Sequence, residues 1–208
     1  MFKNRNDAGR QLAKKLEKYR LSDSVVLALP RGGVVTGYEV ARELKLPIDI
    51  VAVRKIGHPE NPEYAIGAVD EYGMTLWNDP EIVAFDRAWL KEEVRKQQAE
   101  ALRRAQLYRG RRKPCALRDK TVILADDGIA TGLTMRLAVR VVKAKKPKKV
   151  IVAVPVAPLE SVRVLKEEGV NVVVLEPPEG YLGAVGAHYV QFEQTEDDEV
   201  TRLLRSVK

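Results

Sequence analysis

Short apolar runs alternate along the chain with stretches whose apolar positions recur at helical spacing. Four runs, 24–29, 48–53, 121–125 and 150–156, are almost wholly apolar. Strands of that kind are buried on both faces, as in parallel sheets. A fifth strand is predicted at Asn171–Leu175. Between the runs lie predicted helices at Asp7–Lys18, Val35–Leu44, Asp86–Arg109, Leu133–Lys143 and Leu159–Glu168. In the first, Ala8, Leu12, Leu16 and Tyr19 share one face. In the long third helix the apolar positions are Leu90, Val94, Ala101, Ala105 and Tyr108. Ile66–Val69 and Met74–Trp77 flank Asp70-Glu71-Tyr72-Gly73 and predict a hairpin. Arg54–Pro62, with two prolines and a glycine, predicts a polar loop. Thr195, with Asp198 three residues later, predicts the cap of a last helix reaching about Val207.

This alternation predicts an α/β fold: one domain over 1–208, with a mainly parallel central sheet and helices on both faces. The core is expected over about 20–175, with a long helical insertion at about 79–113 and further elements at about 176–208.

Composition narrows the function. Apolar residues make up 45% of the chain and charged ones 31%, values typical of globular domains. No apolar run approaches the roughly 20 residues that span a bilayer, and residues 1–7 lack the apolar stretch of a signal peptide. The single cysteine, Cys115, excludes an internal disulfide. A reducing, cytoplasmic setting is expected, with Cys115 a plain thiol. The net charge of +7 suits nucleic acid, a membrane surface or an anionic small molecule. Arg87–Lys113 holds ten Lys/Arg against three Glu, and 140–149 holds six basic residues and no acid. Both stretches are interrupted by apolar positions, as helix faces are. The 140–149 cluster includes a helix C-terminus, where cations are favourable.

In parallel sheets ligands bind beyond the carboxyl ends of the strands. The most informative strand end is Ala125-Asp126-Asp127-Gly128-Ile129-Ala130-Thr131-Gly132-Leu133-Thr134. Small residues let backbone amides approach an anion, and the following helix adds partial positive charge. Thr131 and Thr134 can donate to the same anion. Asp126 and Asp127 would repel a phosphate. They can instead accept hydrogen bonds from vicinal hydroxyls or hold a hard cation. A phosphate site beside a diol site describes a ribose 5-phosphate.

This segment resembles the signature of type I phosphoribosyltransferases: two acids, then a small-residue loop ending Thr-Gly-x-Thr. The resemblance implies a Rossmann-like domain with a small variable hood. It implies phosphoribosyl diphosphate as donor, Mg²⁺ as cofactor and a small planar base as acceptor. By the same resemblance, Asp126 and Asp127 take the ribose hydroxyls and, through them or water, the metal. Gly128, Ile129, Ala130, Thr131, Gly132 and Thr134 wrap the 5-phosphate. Family members for 6-oxo purines usually carry an Asp where this chain has Ala130. The small residue is closer to the adenine and uracil types.

Pro30-Arg31-Gly32-Gly33 follows the first strand. By itself a structural turn explains it equally well. Beside the first loop it resembles the family's pyrophosphate loop, with Arg31, Gly32 and Gly33 on the pyrophosphate and a cis bond at Pro30–Arg31. Arg54-Lys55 ends the second run, and the family shows a similar pair before a flexible loop. Arg31, Arg54 and Lys55 are thus expected to stabilise the departing pyrophosphate. His58 reads as a loop histidine, and Glu60–Tyr64 as part of a mobile lid. Tyr181 and Leu182, in 176–182 after the last core strand, are the expected base contacts; Tyr189 and Phe192 read as core.

A homodimer is expected, and the long helix suits packing on the domain or on a partner copy. Two functions compete. One is transfer of a phosphoribosyl group to a nitrogenous base. The other is a regulator that senses the diphosphate and binds RNA or DNA through the basic helix, with steep salt dependence and no turnover. Intact Arg31 and Arg54-Lys55 favour the enzyme.

Overall fold

In chain order the elements are α1 (Arg5–Lys15), β1 (Ser24–Ala28), α2 (Gly32–Leu44), β2 (Ile48–Ile50), β3 (Val53–Gly57), β4 (Ala65–Asp70), β5 (Thr75–Trp77), α3 (Asp79–Ile82), α4 (Arg87–Arg109), β6 (Thr121–Ala125), α5 (Leu133–Lys143), β7 (Lys149–Val154), α6 (Leu159–Glu167), β8 (Asn171–Val174) and α7 (Asp197–Ser206). This computed structural model describes residues 1–62, 64–83, 85–176 and 178–207, without the side chains of Asp79 and Glu81. Glu63, in the expected lid, and Pro177, in the 176–182 segment, lie outside the described residues.

Five strands form a wholly parallel sheet in the order β2-β1-β6-β7-β8. In the centre Ser24 pairs with Thr121 and Ala28 with Ala125, so β1 and β6 end level. Period-two alternation splits their side chains between two cores. Val25, Leu27, Val122 and Leu124 pack toward α5 and α6. Val26, Ala28, Ile123 and Ala125 pack toward α1, α2 and α7. Each aliphatic side chain so buried contributes roughly 1.5–3 kcal/mol. Among the described residues no helix is long and apolar enough to cross a membrane.

The apolar run at 48–53 does not form one strand. β2 ends at Ile50, and Val53 begins β3 of a second, antiparallel sheet ordered β3-β4-β5. Both sheets bury these residues, so the sequence carries no mark of the change. The expected polar loop therefore starts late, since Arg54 to Gly57 are strand. The predicted hairpin is present. Asp70 Oδ1 accepts from the amides of Tyr72 and Met74 and fixes its turn.

Asp86 caps α4 through the amides of Ala88 and Trp89. The helix buries Ala101, Ala105 and Tyr108 and lies across the small sheet and α7. α2 begins at Gly32, three residues earlier than its apolar spacing suggests. Thr195 is buried and does not cap α7. Glu196 holds that position without a side-chain cap bond, and its carboxylate instead lies 3.7 Å from Arg31. Three acids, Asp197, Asp198 and Glu199, suit the positive end of the helix.

Candidate active site

The loop from Asp126 to Gly132 leaves β6 at the carboxyl edge of the sheet and runs into α5. Ile129 anchors it from below: its side chain is buried and its amide donates to the Val156 carbonyl at 2.9 Å. Gly132 precedes the helix at φ 82°, a left-handed conformation that favours glycine. Ala130 and Thr131 are exposed, and Thr134 is half-buried. Among the described residues, the amides of Ala130, Thr131, Gly132, Leu133 and Thr134 find no protein acceptor. Ala130, Thr131, Gly132 and Thr134 line a cavity of about 180 Å³, together with Gly128, Ile129, Asp126, Lys55, Ala65 and Val185. Unpaired donors at a helix N-terminus beside such a cavity can receive an anion.

At the cavity's edge Asp126 accepts from the Asp127 amide at 2.8 Å. Burial, and then the Asp127 charge, push the Asp126 carboxyl well above the usual range. The Asp127 carboxylate is held by Arg5 Nε at 2.6 Å, and its carbonyl accepts from the Tyr189 hydroxyl at 2.6 Å. The acid pair packs directly on the loop after β1. A Cβ on Gly32 would lie 2.0 Å from Asp127 Oδ2, and one on Gly33 would lie 2.5 Å from Asp126 Oδ1. At Gly33 the contact includes the Asp126 backbone, so there only glycine permits that approach. The Pro30–Arg31 bond is cis, as expected.

The family model of the phosphoribosyl transferase domain matches residues 2–185. A protein of Mycobacterium tuberculosis, named provisionally as a phosphoribosyl transferase, is 41% identical over 206 residues. That match covers 98% of this chain but 46% of the relative, so the chain spans about half the relative's length. The crystal structure of TT1426 from Thermus thermophilus is 42% identical, with a TM-score of 0.82. The match covers 100% of this chain and 99% of that one.

This chain belongs to the phosphoribosyl transferase domain family.

Within that family frame, the remaining expected residues divide. Arg31 lies 3.7 Å from both Glu196 and Asp197. Asp197 is also gripped by the Tyr108 hydroxyl at 2.5 Å and by Arg103 at 3.1 Å, and these donors hold its carboxyl below the usual range. Arg54 and Lys55 are neighbours on β3, and successive strand residues point to opposite faces. Lys55 lines the cavity beside Thr131. The Arg54 guanidinium instead reaches α4, donating to Gln97 at 3.2 Å. Among the described residues Arg54 has no carboxylate within 4.0 Å. Burial, then the nearby Arg104, lower its pKa. A half-buried cation with only an amide partner leaves room for an anion.

The expected base contacts, Tyr181 and Leu182, lie in the C-terminal stretch. Tyr181 stacks on His188 with ring centres 5.3 Å apart and packs near Phe2, Val156 and Tyr189. Leu182 is 60% exposed, and its amide donates to His188 Nε2. Neither lines the cavity beside the anion loop. Val185 does, from the same C-terminal stretch. His58 meets Tyr64 and Phe85 edge-on, and its Nδ1 accepts from the Glu60 amide, a loop arrangement. Burial raises the Cys115 thiol pKa, and Cys115 lies outside this site.

Arg5, Tyr189, Val185 and the acids at 196–197 join the site without having been expected there. No local pattern marked them, because their contacts close over more than fifty residues of chain. A second cavity, about 490 Å³, lies beside Asp49, Glu71 and Arg109. Arg109 donates to both acids, so these buried charges satisfy one another.

Proposed function

We propose that this chain transfers a phosphoribosyl group from phosphoribosyl diphosphate to a nitrogenous base, releasing pyrophosphate. The observation that carries this reading is a cavity lined by Ala130, Thr131, Gly132, Thr134 and Asp126, where among the described residues the amides of 130–134 have no protein acceptor. The amides and the Thr131 and Thr134 hydroxyls would hold the 5-phosphate, with Lys55 opposite. Asp126 and Asp127 would accept from the ribose 2- and 3-hydroxyls. Arg31, the Gly32 and Gly33 amides and Arg54 would take the pyrophosphate. As the C1–O bond breaks and the C1–N bond forms, negative charge grows on the leaving group, and fixed cations favour that change.

The residues present also fit Mg²⁺. This hard ion is usually held by one or two carboxylates together with substrate phosphates. Asp126 lines the phosphate site and Asp127, tied to Arg5, stands next to it, so in their ionised forms the pair would offer two carboxylates there. Among the described residues, no cluster of three or more His, Cys, Asp or Glu could hold a metal by itself. When bound, the ion supplies charge neutralisation for the pyrophosphate.

A small residue at Ala130 favours an adenine- or uracil-like acceptor over a 6-oxo purine. The regulator reading draws less support. On α4 each of the three acids pairs with a cation, Glu92 with Arg95, Glu93 with Lys96 and Glu100 with Arg103 and Arg104, which weakens a nucleic-acid face without removing it. A panel of bases with phosphoribosyl diphosphate and Mg²⁺, followed by pyrophosphate release, tests the enzyme directly. Release with one base supports the reading. Tight RNA or DNA binding with no turnover supports the regulator.

A further inference from the structure

Arg5 occupies an unusual place for a cation. It opens α1, where the helix dipole disfavours positive charge. Its side chain is 12% exposed and reaches across the molecule to the candidate site. Nε donates to Asp127 Oδ2 at 2.6 Å, and Nη1 donates to the Glu193 carbonyl at 2.6 Å. The guanidinium lies 3.8 Å over the Phe192 ring. Nε also sits 2.8 Å from where a Cβ of Gly32 would be. Arg5 therefore stands at the junction of the acid pair and the Arg31–Gly33 loop. Its third nitrogen, Nη2, has no acceptor among the described residues.

We infer that Arg5 is a substrate-binding residue of this site: it keeps Nε on Asp127 and gives Nη2 to the diphosphate of the donor. This rests on the phosphoribosyl reading above and adds a residue to it. A guanidinium suits the role because its planar fork binds two oxyanions at once in fixed geometry, which an ammonium does not. The Phe192 face and the Glu193 carbonyl fix the plane, so the fork is oriented before the ligand arrives. An arginine that only tied α1 to the sheet would not need to lie against the glycine loop or to keep a donor unused.

The test is calorimetric titration of wild type, Arg5→Lys and Arg5→Gln with three ligands. These are Mg²⁺ with inorganic pyrophosphate, Mg²⁺ with phosphoribosyl diphosphate, and ribose 5-phosphate. Arg5→Gln is expected to weaken both diphosphate ligands by about tenfold or more, and ribose 5-phosphate, which feels the change only through Asp127, by clearly less. Arg5→Lys, which keeps the charge and loses the fork, should fall between. The thermal midpoint of each variant is recorded alongside, and Arg5→Lys carries the comparison if Arg5→Gln does not fold. Unchanged pyrophosphate affinity in a folded variant overturns the inference and leaves the phosphoribosyl reading intact. An equal loss for ribose 5-phosphate also overturns it, since Arg5 would then act only by shaping Asp127. Wild-type protein that binds none of the three overturns the phosphoribosyl reading, and the inference with it.

Discussion

Gly33 lies directly against Asp126: a Cβ there would meet Oδ1 at 2.5 Å and the Asp126 Cα at 2.9 Å. Two loops from adjacent parallel strands thus share one surface, with the acids of one resting on the glycines of the other. Because the clash is partly with backbone, it cannot be relieved by a rotamer change. Gly33→Ala is expected to cost about 1–3 kcal/mol of stability through overpacking. It should also weaken donor binding by parting the loops. Urea unfolding and ligand titration check the two effects separately.

Thr131 is exposed, so its hydroxyl contributes little to the fold. Thr131→Val should change stability by less than about 0.5 kcal/mol. If the hydroxyl donates to a phosphate, ribose 5-phosphate affinity should drop by about tenfold, or about 1.4 kcal/mol. Calorimetry on the folded variant reads this directly.

Arg54 is a half-buried cation whose partner is an amide. Burying a charge that has no ionic partner costs free energy that an apolar side chain of similar length does not. Arg54→Met is expected to gain about 1 kcal/mol in thermal or urea unfolding. The same change should lower kcat/KM by about a hundredfold if Arg54 stabilises the leaving group. Gain in one measurement with loss in the other marks a residue kept for function.

Glu100 shows the opposite electrostatics. Hydrogen bonds from Arg103 and Arg104 hold its carboxyl at about 2, below the usual 4.5. A depressed folded value means the ionised form stabilises the fold above about pH 4.5, and that stability is lost as pH falls through about 2. The group is partly exposed, so solvent screening limits the effect to about 1 kcal/mol or less. Glu100→Gln should therefore be less stable than wild type at pH 7, with the two converging toward pH 2. Denaturation midpoints across that range check it.

Much of the fold was legible because it rests on local patterns. The all-apolar runs of β1, β6 and β7 and the 3.6-residue spacing of α5 describe buried parallel strands and covering helices without further information. The break between β2 and β3 was not legible, because Val51 and Val53 are buried whichever sheet they join. The loop at 126–134 could be placed from its own residues, since small side chains and two threonines between a buried strand and a helical pattern mark a strand-to-helix turn. Arg5, Tyr189 and Val185 could not. Each enters through a contact set by packing of distant segments, and a lone arginine near a chain's first helix looks like ordinary surface charge. Tyr181 and Leu182 were placed by resemblance alone, and their contacts with His188 carried no local signal either.

In the proposed function the amides of 130–134 hold a phosphate while the acid pair holds the diol of the same sugar. Calorimetry of phosphoribosyl diphosphate with Mg²⁺, on wild type and on Asp126→Asn and Thr131→Val, tests it most directly. The account predicts saturable one-to-one binding in wild type and weakening of about tenfold or more in each variant. Wild-type binding that neither variant alters would contradict it.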